Sequence, residues 1–339
     1  MPSLPASNTY RLSVAPMMDW TDRHCRYFHR QLAPGARLYT EMVHAQAVLQ
    51  GCTSEKGSER LLGFDSAERP LALQLGGSEP AALADAARIA ASLDFDEVNL
   101  NIGCPSDRVQ AGRFGACLMR EPALVADCVA AMRAAVEGTS VQVTVKCRLG
   151  VDELEEYAVF RAFVDAIAAT GCNVFAVHAR KAWLQGLSPK ENREIPPLRY
   201  DWVYRLKRER PDLTVLINGG IATVDAALAH LEHVDGVMLG RVAYHDPYVL
   251  HRLDNALAGE SDRPREELLQ RMRPYVEVQL SNGVALKHIV RHVLGLFHGQ
   301  PGGRAFRQVL SEGAHKSGAN WSLVERALAA THHGSRHAA

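Results

Sequence analysis

Short apolar runs alternate along the chain with longer Ala- and Leu-rich segments of helical period, and polar or glycine-rich loops separate them. Eight apolar runs predict strands at Arg11–Met17, Leu38–Val43, Leu71–Leu75, Glu97–Ile102, Gln142–Arg148, Val174–His178, Thr214–Asn218 and Gly236–Gly240. The segments between and after them predict helices at 21–32, 44–50, 79–93, 121–136, 153–170, 199–210, 223–232 and 247–257. Eight such rounds in roughly 245 residues predict an α/β fold, a closed (β/α)8 TIM barrel. An open doubly wound sheet is the alternative, which the lack of a G-x-G-x-x-G after the first strand disfavours.

Beyond Asp246-Pro247 the alternation stops and only helical patterns follow. They predict helices at 265–280, 284–298, 303–315 and 321–330, which suit a short four-helix bundle. The segment 259–264 is rich in glycine, proline and charge and is typical of a linker. We therefore expect a barrel domain over 1–258, a helical domain over 265–332 and a disordered tail over 333–339, and we do not expect the histidines at 332, 333 and 337 to bind metal.

Charge is balanced overall, with 38 Lys+Arg and 38 Asp+Glu, but it is unevenly distributed. From residue 270 to 339 nine Lys/Arg stand against three Asp/Glu, so the helical part is a basic module. Lys287 and Arg291 are four residues apart, and Arg304 and Arg307 are three apart, spacings that place like charges on one helix face. Such clusters favour an anionic partner, although a solvated surface is the alternative for any single residue.

Seven cysteines without a C-x-x-C pair argue against a disulfide framework or a zinc site and favour a reducing compartment, with the cytoplasm as the default. The N-terminus has no secretion signal, and no apolar stretch reaches the roughly 18 residues of a membrane span. We expect a monomer with no metal site, no membrane partner and no DNA partner.

Reactive side chains cluster at the C-terminal ends of the predicted strands, where barrel enzymes place their chemistry. They are Pro16, Met17 and Met18, Glu41, Gln74, Asn101 with Cys104, Lys146 with Arg148, His178 with Arg180, Asn218 with Gly219 and Gly220, and Gly240 with Arg241. Each has a structural alternative: Cys104 could be a buried free cysteine, for example, and Lys146 a salt-bridged interior residue. Their joint occurrence at one face favours an active site, with Cys104 opening a loop of about fifteen residues.

Two glycine-containing loops indicate a phosphate. Asn218-Gly219-Gly220 and Gly240-Arg241 end the seventh and eighth predicted strands, where backbone N–H groups and an arginine commonly hold a phosphoryl group. Tight turns are the alternative. A sugar phosphate or flavin mononucleotide (FMN) would fit. An amide at Gln74, a lysine at Lys146 and a histidine at His178 favour FMN, because they can bond the pyrimidine edge of its ring.

The loop 181–199 is too long and proline-rich for a plain connector. Trp183, Lys190 and Arg193 offer an aromatic face and two cations, which suit a stacked base and phosphates. A solvated charged loop is the alternative.

With these residues in view, the chain resembles the tRNA-dihydrouridine synthases, most closely their A subfamily, from Tyr10 to about Ala330. The motifs that carry the resemblance are APMMDWTDRHCRYFHRQL at 15–32, LQLGGSEP at 73–80, EVNLNIGCPSDRVQAGRFGACLM at 97–119, VKCRLGVD at 145–152, FAVHARKAWLQGLSPKENR at 175–193, INGGI at 217–221 and GVMLGRVAYHDPY at 236–248. Met18 stands where leucine is also common in the family.

The resemblance implies a barrel that holds FMN, a C-terminal tRNA-binding domain, and reduction of D-loop uridines 20 and 20a by NADPH or NADH. Carried over by motif, the flavin-binding residues are Pro16, Met17, Met18, Gln74, Lys146, His178, Asn218, Gly219, Gly220, Gly240 and Arg241. Cys104 is then the proton donor, and Asn101, Lys190, Arg193, Arg304 and Arg307 contact tRNA. The alternatives are a flavin barrel acting on a free pyrimidine and a tRNA-binding protein without chemistry.

Overall fold

The computed structural model describes residues 9–334, apart from the side chains of Arg108 and of residues 332–334. Within this range the chain forms two compact units. The first contains the chain up to Met18 together with 36–221 and 225–240, and the second contains 19–35, 222–224 and the chain from Arg241 onward. Residues 335–339 of the expected tail, with His337, lie outside the described residues, as do the side chains of His332 and His333.

The described part of the first unit contains nine parallel strands: β1 (Leu12–Val14), β2 (Leu38–Tyr39), β3 (Val43–His44), β4 (Leu71–Gly76), β5 (Glu97–Ile102), β6 (Gln142–Arg148), β7 (Val174–His178), β8 (Thr214–Asn218) and β9 (Gly236–Leu239). Their order is β1-β9-β8-β7-β6-β5-β4-β2, with β3 also paired to β4. The backbone of Arg37 joins the two ends, because its N–H donates to Leu12 and its carbonyl accepts from Val14, both at 2.9 Å. The predicted parallel barrel is confirmed.

Sixteen α-helices lie within the described residues. They are α1 (Arg23–Leu32), α2 (Ala45–Gly51), α3 (Glu55–Leu62), α4 (Pro80–Ser92), α5 (Asp107–Ala111), α6 (Pro122–Ala135), α7 (Tyr157–Ala168), α8 (Tyr200–Glu209), α9 (Val224–Leu231), α10 (Val242–His245), α11 (Tyr248–Ala258), α12 (Arg265–Gln270), α13 (Arg273–Ser281), α14 (Leu286–Val290), α15 (Gly303–Gly313) and α16 (Trp321–Gly334). None of them is long and apolar enough to cross a membrane. Short 3-10 turns cover Ser66–Glu68, Gly115–Arg120 and Glu191–Arg193.

The predicted strand Leu38–Val43 is two short strands, β2 and β3, and the break has a side-chain cause. The Thr40 hydroxyl accepts the backbone N–H of Gln74 at 3.1 Å and donates to the carbonyl of Glu41 at 2.7 Å. A side chain therefore replaces a backbone partner of β4 at this point, and regular pairing resumes only at Val43.

Two predicted helices of the second unit are interrupted. The segment 265–280 forms α12 and α13, and Pro274 lies in the first turn of α13, where the missing proline N–H costs nothing. The segment 284–298 is helical only to Val290 and then continues in turns. There Gly295 packs against the carbonyls of Tyr244 and His245, so closely that a Cβ would lie 2.8 and 2.7 Å from them.

The barrel interior is partly polar. Every residue of β5 is buried: Val98, Leu100 and Ile102 form the apolar set, and Glu97, Asn99 and Asn101 form the alternate set. Asn99 and Asn101 bond the side chains of the neighbouring strands β6 and β4 respectively. The predicted separation of an apolar face from a polar interior on this strand is therefore confirmed, and the polar row leads to the C-terminal end of the barrel.

Candidate active site

Cys104 lies just beyond the end of β5, and its backbone is held on two sides. The Asn101 Oδ1 atom accepts the N–H groups of Gly103 and Cys104, both at 3.0 Å. The Cys104 carbonyl accepts the N–H of Ala116 at 2.9 Å, next to Gly115, which has φ +75° and whose Cβ would lie 2.6 Å from that carbonyl oxygen. The half-buried thiol contacts the Ser106 hydroxyl at 3.5 Å. A reactive group thus sits on a fixed backbone.

Cys117, the other cysteine of this loop, has a different environment. Its thiol donates to the carbonyl of Phe114 at 3.2 Å. Burial raises the pKa of the Cys117 thiol. A thiol committed to a backbone carbonyl is less available to a substrate, so the structure favours Cys104 of the two.

Lys146 is the direct neighbour of Asn101 in the register of β5 and β6. Its ammonium donates to Asn218 Oδ1 at 3.3 Å, and within the described residues no carboxylate forms an ion pair with it. Burial, reinforced by the nearby charge of Arg148, lowers the pKa of Lys146 to about 8. The side chain is therefore a cation that an incoming anion would stabilise.

His178 lies in one row with Arg148 of β6 and Asn218 of β8. Burial, and then the charges of Arg148 and Lys146, hold the pKa of His178 well below its usual value. The imidazole is accordingly neutral at physiological pH and presents one N–H donor and one acceptor nitrogen. Neutral donors beside cations suit a ligand with a delocalised negative charge.

Arg148 connects two loops at this end of the barrel through three hydrogen bonds. Its Nε donates to the Gly103 carbonyl at 2.8 Å, and its Nη1 donates to the carbonyls of Lys181 and Asn192 at 2.9 and 3.0 Å. Burial lowers the pKa of this guanidinium to about 10, which leaves it charged at neutral pH. The sequence marked Arg148 as reactive, but the structure shows that it fixes the Cys104 loop to the loop after β7.

The predicted phosphate loop follows β8 directly. Gly219 and Gly220 have φ values of +115° and +72°, which favour glycine. The Tyr200 hydroxyl donates to the Gly219 carbonyl at 2.7 Å and so fixes the orientation of this peptide. A Cβ on Gly219 would lie 2.7 Å from the His178 ring. The loop can adopt this path only because two consecutive residues lack side chains.

The remaining candidate cofactor residues lie at the ends of other strands or next to them in the chain. Gly240 directly follows β9, and a Cβ there would lie 4.0 Å from the Asn218 amide nitrogen. Arg241 comes next in the chain, directly before α10, and belongs to the second unit. Pro16, Met17 and Met18 follow β1, and the Met18 side chain is 56% exposed. Gln74 is buried on β4 and accepts from the Asn101 amide at 2.8 Å.

The four cations expected to contact tRNA lie in two places. Lys190 directly precedes the 3-10 turn after β7, Arg193 ends this turn, and both are exposed. The buried Asn192 anchors the turn by donating to the carbonyls of Trp183 and Leu187. Arg304 and Arg307 are exposed on α15, which buries Phe306 and Leu310. The Lys181 ammonium covers the Trp183 ring at 4.2 Å, so the aromatic face predicted for base stacking is partly occupied by a cation.

The structure thus connects seven candidates of the first unit in one site. Gln74 bonds Asn101, Asn101 bonds the Cys104 backbone and pairs with Lys146, Lys146 bonds Asn218, and His178 touches Gly219. The sequence did not identify the residues that hydrogen-bond the site residues or the loops that carry them, which are Ser106, Thr144, Asn99, Asn192 and Tyr200. Asn99 stood out only as a polar residue in the alternation of β5, and nothing in the pattern marked the others.

Comparison with known proteins identifies the family. The model of the dihydrouridine synthase (Dus) family matches residues 13–332. The chain belongs to the dihydrouridine synthase family. A tRNA-dihydrouridine(20/20a) synthase of Xanthomonas campestris pv. campestris is 68% identical over 326 residues, covering 96% of this chain and 95% of that protein. The relative of the same name from Shewanella oneidensis is 55% identical over 317 residues, with 93% and 92% covered. The expected family and A-subfamily resemblance are confirmed.

Solved structures similar to this chain support the barrel. An old yellow enzyme homologue from Zymomonas mobilis aligns with a TM-score of 0.51 at 14% identity, covering 76% of this chain and 92% of that chain. A 2-naphthoyl-CoA reductase aligns with a TM-score of 0.52 at 10% identity, covering 74% and 50%. At such identities the likeness concerns the fold alone.

Proposed function

We propose that this protein reduces uridines 20 and 20a of the tRNA D-loop to 5,6-dihydrouridine, with FMN held in the barrel and NADPH as the reductant. NADH is the alternative reductant. The observation that carries the proposal is the cluster of Cys104, Asn101, Lys146 and His178 at the C-terminal end of a barrel whose sequence belongs to the dihydrouridine synthase family. With tRNA as its substrate, we infer that the protein acts in the cytoplasm as a monomer.

The residues present fit FMN. Lys146 is a cation without a carboxylate partner among the described residues, and the Gly219-Gly220 loop has the backbone freedom that a phosphate cradle requires. We infer that Asn218, Gly219, Gly220, Gly240 and Arg241 hold the phosphate. Gln74, Lys146 and His178 would bind the ring, and Pro16, Met17 and Met18 would lie along it.

Bound FMN supplies hydride chemistry, so that NADPH is oxidised and a hydride is added to C6 of the uracil ring. The addition places negative charge on C5 and O4 of the ring. The Cys104 thiol then gives its proton to C5, which completes the reduction of the C5–C6 double bond and leaves a thiolate to be reprotonated from solvent. Asn101 holds the Cys104 backbone and directs its remaining amide hydrogen toward the substrate.

We assign the tRNA contacts to Asn101, Lys190, Arg193, Arg304 and Arg307, and the functional division to a barrel over 1–258 and a helical part over 265–332. Both cationic pairs would bind phosphates, which fix the register of the tRNA without reading its sequence. Engaging two separate pairs at once restricts the docking angle, and this restriction would select positions 20 and 20a over 16 and 17.

The decisive experiment combines a purified assay with mapping in cells. Purified protein should be yellow and should form dihydrouridine in unmodified tRNA when NADPH is supplied. Cells lacking the gene should lose dihydrouridine at 20 and 20a. Loss confined to 16 or 17 would contradict the docking argument, a colourless protein that binds tRNA would contradict the chemistry, and activity on free uracil or orotate alone would contradict the substrate.

We expect Gly219→Ala to weaken FMN binding by about tenfold or more, because the new Cβ adds backbone strain and crowds the His178 ring. Gly138→Ala is the matched control, since Gly138 also has a positive φ, of +81°, but no atom lies within 4 Å of its Cβ position. FMN fluorescence titration measures binding, and thermal unfolding measures the shared backbone strain. Equal loss of FMN affinity in both variants would show that the approach to His178 is irrelevant.

We expect Lys146→Met to lower the two-electron potential of bound flavin by roughly 30 mV or more, the shift that a tenfold loss of reduced-state stabilisation produces. The pKa of Lys146 is about 8 in the flavin-free protein, and an anionic reduced flavin beside the ammonium would raise it, so the difference from wild type should be full at pH 7. In the flavin-free protein the same variant should gain stability at pH 7, since a buried ammonium with a lowered pKa destabilises the folded state until it deprotonates. An unchanged flavin potential in Lys146→Met at pH 7 would contradict the role of the charge.

A further inference from the structure

A chain of buried polar side chains runs along the inside of the barrel and ends at Cys104. The Thr144 hydroxyl donates to the Glu97 carboxylate. Asn99 Nδ2 donates to Thr144 Oγ1 at 2.8 Å, and Gln74 Nε2 donates to Asn99 Oδ1 at 2.8 Å. Asn101 Nδ2 donates to Gln74 Oε1 at 2.8 Å. Every member is at most 9% exposed, so water does not substitute for these partners.

The direction of every bond in this chain is fixed from both ends. At the inner end a carboxylate can only accept, so Thr144 must donate its single hydrogen and can only accept from Asn99. At the outer end the N–H groups of Gly103 and Cys104 can only donate, so Asn101 must turn its oxygen toward them. The amides of Asn99, Gln74 and Asn101 then have one orientation that satisfies all bonds, and reversing any of them would place two donors or two acceptors together.

The inner end is firmly held. Glu97 accepts from the Tyr10 and Tyr39 hydroxyls at 3.1 and 2.8 Å and pairs with Arg37 at 3.2 Å. Burial and the neighbouring Glu97 raise the pKa of both tyrosines, which therefore stay protonated and remain donors. Three hydroxyl donors and a guanidinium keep the carboxylate an acceptor, and so the polarity of the whole chain has a fixed origin.

We propose that Thr144 and Asn99 are positioning residues, which set the amide orientation of Gln74 and Asn101 and thereby the position of Cys104. Neither residue reaches the reacting atoms. Each acts through the next amide, and the result is that Gln74 and Asn101 keep one N–H each for the ligands of the site, while the Asn101 oxygen is reserved for the Cys104 backbone. The ligands named here rest on the proposed function, but the effect on Cys104 does not.

The test compares Thr144→Val with Thr144→Ser in the full-length protein. Valine keeps the shape and removes the hydroxyl, whereas serine keeps the hydroxyl and removes a methyl group. If Thr144 contributes only packing, Thr144→Val should behave like wild type and Thr144→Ser should be the more impaired variant. If Thr144 fixes the direction of the hydrogen bonds, Thr144→Val should be the more impaired variant. Valine leaves the Asn99 amide without an acceptor and frees the amides of Gln74 and Asn101 to turn.

Three measurements test the effect of these variants on the site. They are the rate of Cys104 alkylation relative to Cys117, the affinity for FMN, and kcat and KM with unmodified tRNA. For Thr144→Val we expect the alkylation ratio and the FMN affinity to change by about tenfold and kcat to fall more than KM rises. For Thr144→Ser we expect all three within about twofold of wild type.

Asn99→Asp provides a second variant if the valine protein does not accumulate, because an aspartate of the same size cannot donate to Thr144. An unchanged Cys104 alkylation ratio in whichever of these variants folds would overturn the inference. If the variants change the alkylation ratio but the wild-type protein neither binds FMN nor acts on tRNA, the positioning role stands and the proposed function is contradicted.

Discussion

Cys104→Ala is expected to abolish uridine reduction while leaving the flavin half of the reaction intact. Loss of a positioned general acid typically costs about 10²- to 10⁴-fold in rate, and no other thiol stands at the end of β5. FMN content, and the rate at which NADPH reduces the flavin, should stay at wild-type values, because the residues assigned to the flavin are all retained. Rapid-mixing absorbance measures flavin reduction, and single-turnover oxidation by tRNA measures the second step.

Cys117→Ala is the matched control, since it removes a thiol from the same loop. Its hydrogen bond to Phe114 is local, so we expect oxidation of reduced flavin by tRNA within a few-fold of wild type. If Cys117→Ala loses this step and Cys104→Ala retains it, the two cysteines have been assigned the wrong way round. If both variants retain it, the proton comes from another group of the site.

The barrel could be predicted from the sequence because one alternation of period 2 and period 3.6 repeats eight times, and each repeat is locally consistent with the fold. The strand ends were predictable for the same reason, since parallel strands place all C-terminal ends on one face. The split of β2 from β3 could not be predicted, because it depends on the Thr40 hydroxyl replacing a backbone partner of β4, a contact between residues 34 positions apart.

Charge patterns in the second unit were harder to interpret. The spacing of Lys287 and Arg291 predicted a cationic helix face that binds an anion, but α14 ends at Val290. Arg291 instead pairs with Asp22 at 2.6 Å, and His292 contacts the same carboxylate at 3.0 Å. Asp22 also caps α1 through the N–H groups of His24 and Cys25. A distant carboxylate can satisfy a local cluster of cations, and spacing alone does not reveal it.

The reactive residues of the site were easier to recognise than the residues that hold them. Cys104, Lys146 and His178 are chemically conspicuous at strand ends. Thr144 and Tyr200 look like ordinary strand and helix residues, and they acquire a role only through contacts across the barrel, to Asn99 and to Gly219. Support of this kind depends on tertiary neighbours, which periodicity does not encode.

Replacing both Arg304 and Arg307 with alanine is expected to weaken tRNA binding by about tenfold or more and to flatten its salt dependence. Each lost phosphate contact should reduce the slope of log K against log[salt] by roughly 0.7 to 0.9, so the double variant should lose about 1.5. NADPH oxidation by the flavin should be unaffected, because α15 contributes none of the residues assigned to FMN. Filter binding across a range of salt concentrations provides the slope.

A second double variant, Arg263→Ala with Arg273→Ala, separates direct contacts from general charge. It also removes two positive charges from the second unit, but these two arginines are paired with glutamates. Arg263 pairs with Glu267 at 2.9 Å, and Arg273 pairs with Glu277 at 2.8 Å. Within the described residues Arg304 and Arg307 have no such ion pair. Since a paired cation releases few counterions from RNA, only the first double variant should change the slope. Equal changes in both would mean that α15 acts through net charge and makes no phosphate contacts of its own.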